Sequence, residues 1–151
     1  MSALSRSDEP LDRLPGDVAA AFFFSDLRPL RGGAALLDWR LNWRLTRMLL
    51  DGEAEGGLGE HILVANNGKL TADWALFVGG GVAPARLSAP SRKLLRHLLD
   101  VCRQAGFTRL TIGLSAADAA EAEALEKTLA ELLAEVADPD LECRLAIDDD
   151  L

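Results

Sequence analysis

A single α/β domain on a mixed, mostly parallel sheet with helices on both faces is the three-layer fold this 151-residue sequence predicts, and three observations predict it. Segments of strand character alternate with segments of helical periodicity. The first strand-like run is uninterrupted apolar, as a central strand covered on both faces requires. One hairpin-like pair breaks the alternation and puts an antiparallel strand into an otherwise parallel sheet. With 49% hydrophobic and 26% charged residues, the chain is long enough to bury about two thirds of its unfolded surface without a disulfide or metal.

Residues 1–16 are polar and carry Pro10 and Pro15, the composition of a flexible N-terminal arm, with Leu11 and Leu14 the residues able to dock on the body. Residues 17–151 form the domain proper. Residues 18–24, VAAAFFF between Asp17 and Ser25-Asp26, are the central strand. After Gly32-Gly33, residues 34–52 read as one helix, because Leu37, Leu41, Leu45 and Met48 recur at helical spacing and Gly52 supplies a stop. A glycine-rich acidic stretch, 53–60, leads to a strand at 61–65, a tight turn at Asn66-Asn67-Gly68 and a second strand at 74–78 that runs into Gly79-Gly80-Gly81. A helix follows at 91–104, closed by Gly106, and then a strand at 109–114. Ser115 and Asp118, in a Ser-x-x-Asp arrangement, open a helix to about residue 136. Pro139 precedes a last strand at 142–147 and the acidic run Asp148-Asp149-Asp150.

The formal charge of −8 disfavours nucleic acid and anionic membranes as partners. Its distribution is uneven, with twelve acidic and two basic side chains in residues 115–151. Asp8, Glu9 and Asp12 stand where a secretory signal would be basic, and the apolar run at 18–24 is far short of the roughly 20 residues of a membrane span, so a cytoplasmic protein is expected. His61 and His97 have no nucleophile at a useful spacing, and Cys102 and Cys143, 41 positions apart, suit core filling better than a zinc site or disulfide. No catalytic residue, metal ligand or cofactor is assigned.

Two features invite a functional reading. Along the helix at 34–52 the apolar residues form two stripes instead of one. Ala34, Leu37, Leu41, Leu45 and Met48 make the core stripe, while Leu36, Trp39, Trp43 and Leu50 cluster on a second face beside Arg40 and Arg47. Tryptophan with arginine is the composition of interface hot spots, so this face is a candidate protein interface, with cover by the arm or a loop as the competing explanation. The second feature is Gly79, Gly80 and Gly81 at a strand end, with Arg86 downstream, a candidate ligand loop that matches neither dinucleotide nor phosphate-loop fingerprints.

The strings LRGGAALLDWRL (30–41), GGLGEHILV (56–64) and LFVGGG (76–81), in this order and spacing, resemble the N-terminal domain of the leucyl aminopeptidase family. The resemblance covers residues 18–147. It implies a macro-domain-like α/β fold that contributes to subunit arrangement and, in some members, to DNA binding. The family's metal ions and catalytic lysine and arginine belong to a larger C-terminal domain with an Asn-Thr-Asp-Ala-Glu-Gly-Arg motif, which does not occur here, so a non-catalytic role is expected. The resemblance therefore points to an oligomerisation or protein-interaction module, partnered by a second copy or by a full-length aminopeptidase subunit. A departure lies at Asn42-Trp43, where relatives tend to carry small residues. The alternative is a macro-domain-like binder of ADP-ribose or a related nucleotide, suggested by Val64-Ala65-Asn66-Asn67 and Gly79-Gly80-Gly81-Val82.

Overall fold

The structure, a computed structural model, describes residues 3–84 and 90–149. Its strands are β1 (Ala3–Ser7), β2 (Val18–Phe23), β3 (His61–Ala65), β4 (Trp74–Gly79), β5 (Arg109–Ala116) and β6 (Glu142–Asp149). They form one sheet in the order β1-β6-β5-β2-β4-β3, parallel throughout except for β3, which runs antiparallel to β4. The helices are α1 (Gly32–Arg40), α2 (Arg44–Leu50), α3 (Arg92–Gln104) and α4 (Ala119–Val136), with one 3-10 turn at Leu11–Arg13. Among the described residues no helix is long and apolar enough to cross a membrane.

Every residue of β2 is buried, because the strand has neighbours on both edges and helices over both faces. Its alternating side chains feed two cores. Val18, Ala20 and Phe22 join Leu95, Leu98, Leu99 and Leu129 beneath α3 and α4. Ala19, Ala21 and Phe23 join Leu37, Leu41, Leu45 and Phe77 beneath α1 and α2, where the Phe23 and Phe77 rings meet edge to face at 6.5 Å.

Four local expectations are corrected. Where the sequence reads as an arm, residues 3–7 form an edge strand in parallel register with β6, from Ala3 opposite Glu142 to Ser7 opposite Ala146. Leu11 and Leu14 are buried, and Leu11 crosses two glycines so closely that a Cβ on Gly113 would lie 2.5 Å from its Cδ2. The single helix expected at 34–52 is broken at 41–43 into α1 and α2. The tight hairpin turn is a longer connection at 66–73, in which Asn66 Oδ1 accepts from the amides of Gly68 and Leu70, and Leu70 and Ala72 tuck into the core. At the start of α4 the capping pair is Asp118 with Glu121, whose carboxylate accepts from the Ala117 amide, while the Ser115 hydroxyl donates to Asp148 instead.

Asp17 ties the start of β2 to the start of β5. Its Oδ2 accepts from the amides of Thr108 and Arg109, both at 2.9 Å, and from the Thr108 hydroxyl. Burial raises the carboxyl pKa, but the amides of Arg109 and Thr108, the Thr108 hydroxyl and the Arg109 charge outweigh it and hold the group below its ordinary 3.8. A carboxylate depressed on folding stabilises above its unfolded pKa, and the contribution is lost as pH falls through the folded value. Asp17→Asn is therefore expected to lower the urea midpoint at neutral pH, with the gap to the parent protein closing as pH drops below about 3.8; a pH series of denaturation curves reads it out.

Candidate functional site

The break between α1 and α2 is organised by one side chain. Asp38, fully buried, accepts at Oδ1 from the Leu45 amide at 2.7 Å and at Oδ2 from the amide and hydroxyl of Thr46. Those amides belong to the first turn of α2, where an N-cap side chain normally serves. Trp43, the residue in the cap position, makes no side-chain cap bond and sits at φ 63°, in the left-handed region next to Asn42 at φ 58°. Left-handed backbone at a bulky residue costs about 1–3 kcal/mol and persists only where neighbouring structure enforces it. Here Asp38 enforces it twice, because its backbone carbonyl also accepts from the Trp43 amide at 2.8 Å.

This corner settles where each predicted interface residue lies. Trp39 and Trp43 are 51% and 53% exposed and Leu50 is 80% exposed, so no part of the described chain covers them fully. Arg47 is exposed and donates to the Asn42 carbonyl at 2.7 Å. Arg40 differs, since its Nε lies 2.6 Å from Oδ2 of buried Asp12 and its guanidinium stacks 4.5 Å from the centre of the Trp39 ring. It anchors the N-terminal segment and leaves only its outer side for contact. Leu36 is half-buried and packs against the α1–α2 core, so it does not belong with the exposed group.

The glycine run is committed to packing. The amides of Gly79, Gly80 and Gly81 donate to the carbonyls of Glu60, Phe23 and Gly56 at 2.7 to 2.8 Å, which leaves none of the three to cradle an anion. A Cβ on Gly79 would fall 2.2 Å from the Gly57 carbonyl oxygen, and one on Gly80 would strike the Phe24 ring. Arg86 lies outside the described residues. The position where open α/β sheets take ligands is instead the switch point between β2 and β5, at their C-terminal ends. Arg31, Gly32, Gly33, Phe24, Gly113 and Ser115 line a crevice there of only about 30 Å³, room for one water. The Ser115–Asp148 hydrogen bond of 2.6 Å sits beside Gly32 at the start of α1, so a carboxylate already occupies the neighbourhood where an anion would meet helix amides.

His61 is exposed on the edge strand and His97 lies half-buried on α3. Cys102 and Cys143 are free and buried; burial pushes both thiols up to about 12, and in Cys143 the neighbouring Cys102 adds to it. Sequence reasoning missed two exposed apolar pairs. Leu63 and Trp74 stand on the open face of the β3 edge, and Leu58 lies against Gly81 near exposed Val82. β3, HILVA, is apolar at four successive positions, so its sequence does not tell the open face of Leu63 from the covered face of Val64, and the second pair depends on a loop-to-loop contact with no local pattern.

Asp38→Ala removes the buried acceptor of two amides and is expected to cost about 2–3 kcal/mol, the loss of a cap plus unsatisfied donors. Asp38→Asn, which keeps one acceptor oxygen, is expected to lose less. Urea unfolding followed by tryptophan fluorescence measures both.

No protein-family model and no curated protein matches the chain, whereas solved structures do. A tomato leucine aminopeptidase mutant superposes with a TM-score of 0.66 at 15% identity over 97% of this chain and 32% of that one. The macrodomain of Mycobacterium tuberculosis DarG gives 0.64 at 14% identity over 97% of this chain and 98% of that one, and the macrodomain of Thermus aquaticus DarG gives 0.56 at 10% over 97% of each. The chain thus spans about a third of the aminopeptidase and the full length of the two macrodomains. At these identities the likeness bears on architecture, and the fold is a macrodomain-like mixed α/β sheet of six strands.

Proposed function

We propose that this chain is a non-catalytic interaction module that associates with further copies of itself through the α1–α2 corner. The observation that carries the reading is the pair of half-exposed tryptophans held on a backbone bent into left-handed geometry by Asp38. The two half-exposed indoles form the apolar centre of an interface, with exposed Leu50 at the far end of α2, and Arg44 and Arg47 supply a charged rim. Charge narrows the occupant. The α1–α2 corner exposes Arg44 and Arg47, with Asp38 buried and exposed Asp51 only at the far end of α2, in a chain of net charge −8. On α4, at the opposite face of the sheet, Glu123 is exposed, while Glu131 and Glu135 are already paired with Arg92 and Arg96. A basic corner on an acidic chain favours a head-to-tail contact with acidic surface elsewhere on the next copy, which builds a ring or a filament.

Light scattering across a concentration series is expected to show mass above the 16.2 kDa of one chain, reduced by added salt and returned to one chain by Trp39→Ala with Trp43→Ala. A 16.2 kDa particle at every concentration, or assembly unchanged in the double variant, overturns the proposal.

A second reading, binding of ADP-ribose or a related nucleotide, draws on the crevice at the switch point and on full-length similarity to two macrodomains. It requires the crevice to open, because a drug-sized ligand needs about 300 Å³ or more. Calorimetric titration with ADP-ribose tests it: saturable heat abolished by Gly32→Val supports the nucleotide reading, and no heat at millimolar ligand rejects it.

A further inference from the structure

At the opposite end of the sheet from that crevice, toward the N-terminal ends of the parallel strands, a separate cleft of about 80 Å³ lies among Ser5, Pro15, Arg109, Thr111, Glu142 and Arg144. Its floor follows from register. Ser5 on β1 stands opposite Arg144 on β6, and Arg144 opposite Thr111 on β5, so three polar side chains from adjacent strands line up in one row on one face. That face is the one covered by α1 and α2 over the middle of the sheet, but α1 packs mainly on β2 and β5 and leaves the β1–β6 margin open, with Ser5 exposed and Arg144 half-buried. The Pro15 wall is held by Asp17, whose bonds to Thr108 and Arg109 fasten that segment to β5.

The charged lining residues Arg109, Glu142 and Arg144 sum to one positive charge, with the Asp17 carboxylate beyond the Pro15 wall and also facing Arg109. Glu142 lies 3.8 Å from Arg109, which balances one guanidinium. The guanidinium of Arg144 makes no hydrogen bond and no ion pair among the described residues, although it is partly withdrawn from solvent. Surface arginines of this kind usually find a carboxylate or carbonyl, and a planar guanidinium with its donors free is the group best shaped to grip an oxyanion through two parallel bonds. Ser5 adds a hydroxyl on one side; the Thr111 hydroxyl, buried in the floor, gives its one proton to the Pro15 carbonyl at a long 3.5 Å and reaches a ligand by exchanging that bond. The volume admits a phosphate or carboxylate head and excludes a nucleoside.

We propose that this cleft is a binding site for a small oxyanion, the phosphate or carboxylate head of a small molecule, with Arg144 as its principal ligand. The site is independent of the α1–α2 corner and of the crevice between β2 and β5.

Amide chemical shifts recorded during titration at low ionic strength, with inorganic phosphate and with acetate as probes and chloride as control, test the assignment. Saturable shifts at residues 109–111 and 142–144 are expected with at least one oxyanion, weakened about tenfold or more in Arg144→Gln and unchanged in Arg31→Gln, which alters the other end of the sheet. Tighter phosphate assigns a phosphate-bearing ligand, and tighter acetate a carboxylate. Ser5→Ala, at an exposed edge position, provides a second variant that weakens binding without touching the core. Shifts that stay linear with both oxyanions, that survive Arg144→Gln in a folded protein, or that fall on residues 31–33 and 113–115 overturn the proposal.

Discussion

A buried carboxylate, Asp38, sets the geometry of one entire layer of this molecule. Helices normally recruit their N-cap from the residue just before them, but α2 takes its acceptor from within α1. The arrangement folds two short helices into a corner without a connecting loop. It also sets direction: a continuous helix would keep Leu37, Leu41 and Leu45 on one stripe but carry α2 straight on along the α1 axis, whereas the corner turns it while all three stay in the shared core. The cost of removing a carboxylate from water is offset by charge-assisted hydrogen bonds to three donors. Of the two tryptophans at the corner, Trp43 owes its left-handed backbone to these bonds, while Trp39 stands outside on regular α1.

Much of the architecture was legible in the sequence. The all-apolar run at 18–24 announced a strand buried on both faces, and Gly52, Gly106 and the glycines after β4 marked element ends where they occur. What was not legible depended on contacts distant along the chain. β1 carries only two apolar side chains, Ala3 and Leu4, and becomes a strand because β6 offers an edge. The helix at 34–52 was continuous by apolar periodicity, and the one signal against it was Asp38, which at helical spacing falls beside the core stripe of Ala34, Leu41 and Leu45, where an acid needs donors. The glycine run looked like a ligand loop. Its composition reports that backbone must pass close to something, and only the fold says that the something is Gly57 and the Phe24 ring.

The exposed corner and the two clefts divide the molecule functionally by geometry. The end of the sheet that carries ligands in many α/β proteins is here drawn tight, with Leu11 laid across Gly33 and Gly113 and Ser115 tied to Asp148. The basic outer face of the corner and the Arg144 cleft are by contrast open, and both direct positive charge outward from a protein whose net charge is −8. Under the two proposals, contrast with the surrounding field would steer an anionic group, on a second copy or on a small molecule, to those places.

The position of β1 has a consequence for how the molecule is made. Among the described residues its one neighbour in the sheet is β6, the last of the described strands, and β6 in turn lies between β1 and β5. A ribosome adding about 5–20 residues per second therefore leaves the first strand unpaired for on the order of ten seconds, until its partner has been synthesised and has left the exit tunnel. During that interval β2, the hairpin and β5 are able to assemble around α1–α3, while the opening segment waits in the solvent. Its sequence suits the wait: ALSRS, with two serines, an arginine and a single leucine, has little tendency to adhere to other exposed strands. The polarity that hides β1 from a reading of the sequence is thus the property that keeps a nascent chain soluble while it lacks its closing strand.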